Sequence, residues 1–191
     1  MAGTLPSIPP LNSLPARPKR IILHWTGGGH RANSVDRRHY HYVIEGDGTV
    51  VAGEHPVAAN LRTPLKDGEY AAHTGGFNAG SVGVALAGMF GARRGGDAGP
   101  YPLTKAQIDT LITFVALLCD TWGLDPHDPA QLFTHHEAWT LHRVKGVSNP
   151  TKWDITTIPF RPDLEEDEVG PWLRWQIADR LRRFREMRSA A

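Results

Sequence analysis

The chain has 191 residues, enough for one domain with a proper core and too few for two large ones. Its 21 basic and 20 acidic residues leave a formal charge of +1, which argues against a nucleic-acid binder that works by neutralising many phosphates. A single cysteine, Cys119, excludes an internal disulfide framework, and no stretch reaches the ~18 to 20 uninterrupted apolar residues of a membrane-spanning helix.

Residues 1–19 read as an extended, proline-rich arm, because Pro6, Pro9, Pro10, Pro15 and Pro18 prevent a continuous helix and little there can be buried. The same stretch lacks the charged start and apolar centre of a signal peptide, so the expectation is a soluble protein made in the cytoplasm. Ile21 to Trp25 is a short apolar run with β-branched residues, the pattern of a strand buried on both faces, and Gly27-Gly28-Gly29 ends it. His24 thus stands at the strand's C-terminal end. Tyr40 to Glu45 and Thr49 to Ala52 flank Gly46-Asp47-Gly48 and predict a β-hairpin. Ser81 to Ala87, with Val82, Val84 and Leu86 alternating, predicts a further strand.

Thr104-Lys105-Ala106-Gln107 has the form of a capping box and opens a helix expected over Lys105 to Trp122, with Gly123 as its stop. Ile108, Leu111, Ile112, Val115, Leu118, Cys119 and Trp122 recur every three or four residues and make one apolar face. Cys119 in that face reads as a small buried hydrophobe. An acidic run over Asp163 to Glu168 precedes Gly170-Pro171 and a C-terminal helix from Trp172 to about Met187. In that helix Leu173, Ile177, Leu181 and Phe184 form an apolar stripe that should dock on the domain, with the arginines facing outward. Contact of this basic helix with an anionic envelope is the competing reading. Strands and helices mixed in this way predict an α/β fold, a single domain with a central mixed β-sheet flanked by α-helices.

The chemistry concentrates in three places: His24, the run His135-His136-Glu137, and Lys152-Trp153-Asp154. A catalytic zinc takes three ligands of the histidine, carboxylate or thiolate type and keeps one position open for water, so two histidines and an aspartate could fill its protein half. On pattern alone, the tandem histidines could equally be a loop pair with no metal.

Four blocks carry more information together. They are Ile21 to Thr26, Tyr40 to Val50, His73 through Asn78 to Ser81 and on to Gly88, and His135-His136-Glu137 with Lys152-Trp153-Asp154. In this order and at these separations, over about residues 20–160, they resemble the zinc-dependent N-acetylmuramoyl-L-alanine amidases of type 2. That superfamily includes phage amidase lysozymes and peptidoglycan recognition proteins. The resemblance implies zinc ligands His24, His135 and Asp154; an acidic residue two positions after the second ligand, here Glu137, selects His135, and leaves His136 as a supporting or surface group. It implies Lys152 as the cation that stabilises the oxyanion, Tyr40 as a phenol beside the metal, and His73, Asn78 and Ser81 as substrate contacts along the peptide groove.

Two departures bear on subclass. Muropeptide-recycling amidases carry a catalytic glutamate in the strand where this chain has Ala85, and phage enzymes often have cysteine where Asp154 stands. The resemblance therefore implies a zinc hydrolase acting on peptidoglycan, of the phage or prophage endolysin type, released to the wall by a holin-type lesion. A cytoplasmic recycling amidase and a non-catalytic peptidoglycan-binding module are the alternatives. The expected organisation is an arm over 1–19, a catalytic domain over 20–162, and an acidic linker with a basic helix over 163–191.

Overall fold

The computed structural model of the protein describes residues 5–140 and 152–190; the first four residues of the arm and the final alanine lie outside the described residues. Five strands form one sheet: β1 (Arg20–Trp25), β2 (Tyr42–Ile44), β3 (Val50–Ala52), β4 (Ser81–Leu86) and β5 (Leu132–Thr134). Their spatial order is β3-β2-β4-β1-β5. β1 runs parallel to both β4 and β5, β2 runs parallel to β4, and β3 alone is antiparallel, closing the hairpin with β2. Parallel strands need both faces covered, and every residue from Ile21 to Trp25 is buried.

The helices are α1 (Ser34–His39), α2 (Val57–Asn60), α3 (Lys105–Trp122), α4 (His135–Thr140) and α5 (Val169–Ser189). α3 has the predicted limits. Thr104 and Gln107 exchange the two bonds of a capping box, and Gly123 stops the helix in the left-handed region at φ 64°. The Gln107 amide also donates to the carbonyls of Ile44 and Ala87 at 2.9 and 2.8 Å, which pins the helix start to the ends of β2 and β4. Cys119 is fully buried within α3, and burial pushes its thiol up to about 12.

α5 packs on α3 and β5. Leu173, Ile177 and Leu181 are buried there and Phe184 is partly buried against the same core. One arginine departs from the expectation: Arg174 points inward and is buried. Of the exposed arginines, Arg182 and Arg183 pair with Asp179, and Arg185 and Arg188 pair with Asp120. Ending the chain before Gly170 is expected to lower the thermal unfolding temperature by many degrees, since each large apolar side chain contributes about 1.5–3 kcal/mol on full burial. An unchanged unfolding curve would show that α5 rests on the domain without stabilising it.

The arm also differs from its reading. Ile8 and Leu14 pack against the core, and the Trp122 indole N–H donates to the Pro9 carbonyl at 3.0 Å. Proline blocks helix but leaves an extended chain free to lie in a groove, with its carbonyls available as acceptors.

Candidate metal centre

Strand register builds the centre. β1 and β5 are aligned with Leu23 opposite Thr134, so the next residues, His24 and His135, emerge side by side at the C-terminal end of the sheet. Trp153 packs edge-on against Trp25 at 4.7 Å between ring centroids and so brings the following residue, Asp154, to the same place. Asp154 Oδ2 lies 2.9 Å from His24 Nδ1 and 3.2 Å from His135 Nδ1. Candidate ligand atoms of all three residues fall within 4.8 Å of one another.

Those separations suit a zinc ion. Bonds of about 2.0–2.1 Å in a tetrahedral arrangement hold donors about 3.3 Å apart, and two imidazoles with a carboxylate are an accepted zinc set. Burial lowers His24 to about 4, only partly offset by its bond with Asp154, so the ring is neutral and able to coordinate at ordinary pH. Burial acts to raise Asp154, but hydrogen bonds from His135 and His24 outweigh it and hold the carboxyl well below the usual range. The site thus presents the Asp154 anion beside a neutral His24.

The other nitrogen of His24 is also engaged. Its Nε2 lies 3.2 Å from His73 Nδ1 and 3.3 Å from Thr74 Oγ1, which are 3.0 Å from each other. With Nδ1 turned to a metal, the ring proton sits on Nε2 and these two atoms receive it, the usual support for a ligating histidine. His73 lies over Gly83, where a β-carbon would come within 2.6 Å of the ring. Behind it, His41 Nδ1 accepts the Gly83 N–H at 3.0 Å.

A cleft of about 280 Å³ opens on the cluster, lined by Trp25, Thr26, Gly27, His39, Tyr40, His73, His135, Lys152 and Asp154 among others. A larger groove of about 610 Å³ between the Asp125–His127 loop and α5 holds none of the three candidate ligands. Tyr40 caps α1 and its ring lies 5.0 Å from that of His24. Burial raises its phenol, with Asp154 and Asp36 adding to the effect, so the group stays protonated. Lys152 is exposed on the rim.

The remaining expected residues separate. His73 lines the cleft, but Asn78 and Ser81 do not. Asn78 Oδ1 accepts the Thr74 N–H at 2.8 Å and shapes the loop that carries His73. Ser81 is buried, donates to the Phe77 carbonyl, and stands at the start of β4, four residues or about 13 Å from Ala85. Ala85 is opposite His24 in the parallel register and offers no proton-transfer group there. His136 is buried outside the ligand cluster, lowered by burial and by Arg94 nearby; its backbone N–H donates to the Asp154 carbonyl at 2.6 Å.

Sequence reasoning gave no role to Thr74 or His39, and placed Arg174 only among the outward-facing arginines of the last helix. His39 lines the cleft with its Nδ1 donating to the Val35 carbonyl at 2.8 Å. Thr74 adjoins His73 and was within reach; a buried partner for Glu137 left no local signal in the chain.

A family profile described as N-acetylmuramoyl-L-alanine amidase matches residues 14–154. None of the curated proteins matches in sequence. Among solved structures, the Staphylococcus aureus hydrolase AmiA in complex with its ligand is similar in fold, with a TM-score of 0.53 at 12% identity over 93% of this chain and 84% of that one. The N-acetylmuramoyl-L-alanine amidase LysC from Clostridium intestinale URNW gives 0.45 at 20% identity over 75% and 80%. The Ph2119 endolysin from the Thermus scotoductus MAT2119 bacteriophage Ph2119 gives 0.42 at 20% identity over 71% and 77%.

Proposed function

Because this chain belongs to the N-acetylmuramoyl-L-alanine amidase family, we propose that it is a zinc-dependent peptidoglycan hydrolase of the endolysin type. It cuts the amide between the lactyl group of N-acetylmuramic acid and the L-alanine of the stem peptide. The observation that carries the zinc reading is the convergence of His24 and His135 on one oxygen of Asp154 at the floor of an open cleft. When bound there, zinc would make hydroxide available near neutral pH and polarise the scissile carbonyl.

The chain's own groups supply the rest. His73 Nδ1 and Thr74 Oγ1 accept the hydrogen bond of the outer His24 N–H and hold its ring with Nδ1 toward the cleft. Lys152 and the protonated Tyr40 phenol, both lining the cleft, stabilise the negative charge that develops on the carbonyl oxygen. Tyr40 serves as a donor, because its raised affinity for the proton disqualifies it as a base. Trp25 and Trp153 form an apolar wall that keeps Asp154 in register with His24.

Ala85 opposite His24 supports the endolysin reading over muropeptide recycling, since the glutamate expected of a recycling enzyme is missing from the strand beside the ligand. A complete three-residue cluster supports an enzyme over a binding module. Burial of Leu173, Ile177 and Leu181, with Arg185 and Arg188 reaching Asp120 on α3, favours docking of that helix over an envelope role. Release to the wall through a holin-type lesion belongs to the same proposal.

Purified sacculi separate these readings. The expected result is release of stem peptides from intact wall, abolished by a chelator and restored by zinc. Cleavage confined to small anhydromuropeptides would point to recycling, and binding without release to a recognition module.

A further inference from the structure

Glu137 stands two residues beyond His135, and its side chain is only 6% exposed. Its Oε2 accepts the Thr134 N–H at 2.9 Å while its own N–H donates to Thr134 Oγ1 at 3.2 Å, the reciprocal bonding of a capping box. His135 is thereby the first residue of α4, and that exchange sets where the helix starts. A buried carboxylate, in turn, requires a charged partner.

The partner comes from α5. Arg174 Nη1 donates to both oxygens of Glu137, at 2.7 and 2.9 Å, and lies 3.3 Å from the carbonyl of Leu132 in β5. One turn earlier in α5, Gly170 rests on the same carboxylate, where a β-carbon would come within 2.3 Å of it. The glutamate is therefore gripped on three sides, by Thr134, by the guanidinium and by bare helix backbone. A buried ion pair is weak evidence for net stability, since an apolar pair could hold α5 as well. What an apolar pair could not do is aim a carboxylate at the Thr134 N–H.

We propose that Arg174 and Gly170 are positioning residues for the metal centre. They lock Glu137, Glu137 fixes the Thr134–His135 junction, and His135 is thereby presented to Asp154 and His24. Zinc affinity then depends on α5, a segment beyond the residues 14–154 that the family profile matches. The inference rests on the reading of His135 as a zinc ligand.

The test measures zinc affinity of the full chain by competition with a chromophoric chelator, alongside thermal unfolding of the metal-free protein. Wild type and His135→Ala test the underlying reading: if wild type binds no zinc, that reading fails whatever the α5 variants do. Given tight binding by wild type, Arg174→Met is expected to weaken zinc by about 10-fold, the low end of the loss seen when a group bonded directly to a ligand is removed, because Arg174 acts through Glu137. It should also unfold at lower temperature, because the Glu137 charge is left unpaired. The double variant Glu137→Gln with Arg174→Met removes that charge, so its unfolding temperature should recover while its zinc affinity stays reduced. Gly170→Ala, with both charges intact, should weaken zinc by displacing the carboxylate. The proposal is overturned if Arg174→Met keeps wild-type affinity, or if affinity returns together with stability in the double variant.

Discussion

His135→Ala is expected to remove zinc and amidase activity together. Its Nδ1 is one of three candidate donors, 3.2 Å from Asp154 Oδ2, and two protein ligands hold a catalytic zinc far less firmly than three. His136→Ala is the matched control. The contact of His136 with Asp154 runs through its backbone N–H at 2.6 Å and survives the substitution, whereas its imidazole lies outside the ligand cluster. Metal analysis and release of stem peptides from sacculi read the two variants. Loss of zinc from the His136 variant with zinc retained by the His135 variant would reverse the assignment.

Lys152→Ala should lower turnover on the order of 100-fold or more with zinc still bound, the typical cost of losing a preorganised donor to an oxyanion. Lys152 lines the cleft beside Asp154 but is no member of the ligand cluster, so metal content should not change. Tyr40→Phe should act in the same direction and less strongly. A phenol offers a dipole where an ammonium offers a full charge, and the Tyr40 hydroxyl already has a long contact of 3.5 Å to the Trp25 carbonyl. Turnover and zinc content measured on the same preparations check both variants. Near-wild-type turnover for a fully loaded Lys152 variant would leave the metal as the sole electrophile.

Elements with strong local signals were legible in the chain. α3 combines a capping box, an apolar face at helical spacing and a terminal glycine, and each of those is a property of neighbouring residues. β1 reads from its apolar run and the hairpin from Gly46-Asp47-Gly48. β5 has no comparable signal, because a strand of three residues carries too little pattern and is specified by its pairing with β1. α1 carries a capping box from Asn33 to Asp36, a real local signal on a helix of only six residues.

The site divides in the same way. His24, His135 and Asp154 stand out through motif order, and register explains why His24 and His135, so far apart in the chain, meet. Asn78 and Ser81 adjoin His73 in sequence, but one turns into its own loop and the other begins β4 at the end remote from the cleft. Arg174 was read as outward-facing because a helical stripe separates apolar from polar positions. It cannot announce that a buried carboxylate on another element awaits one of the polar ones.

The placement of β1 between β4 and β5 also governs the order in which the molecule can be made. As the chain leaves the ribosome, β1 emerges among the first fifth of its residues, yet it has no strand to pair with until Ser81–Leu86 and then Leu132–Thr134 have been synthesised. Until then its apolar side chains wait in a nascent chain, and distant parallel pairing of this kind is slow to form. The same late event that closes the sheet brings His24 and His135 together. Closing the sheet is therefore a precondition for the cluster, which Asp154 and α5, both later in the chain, go on to complete.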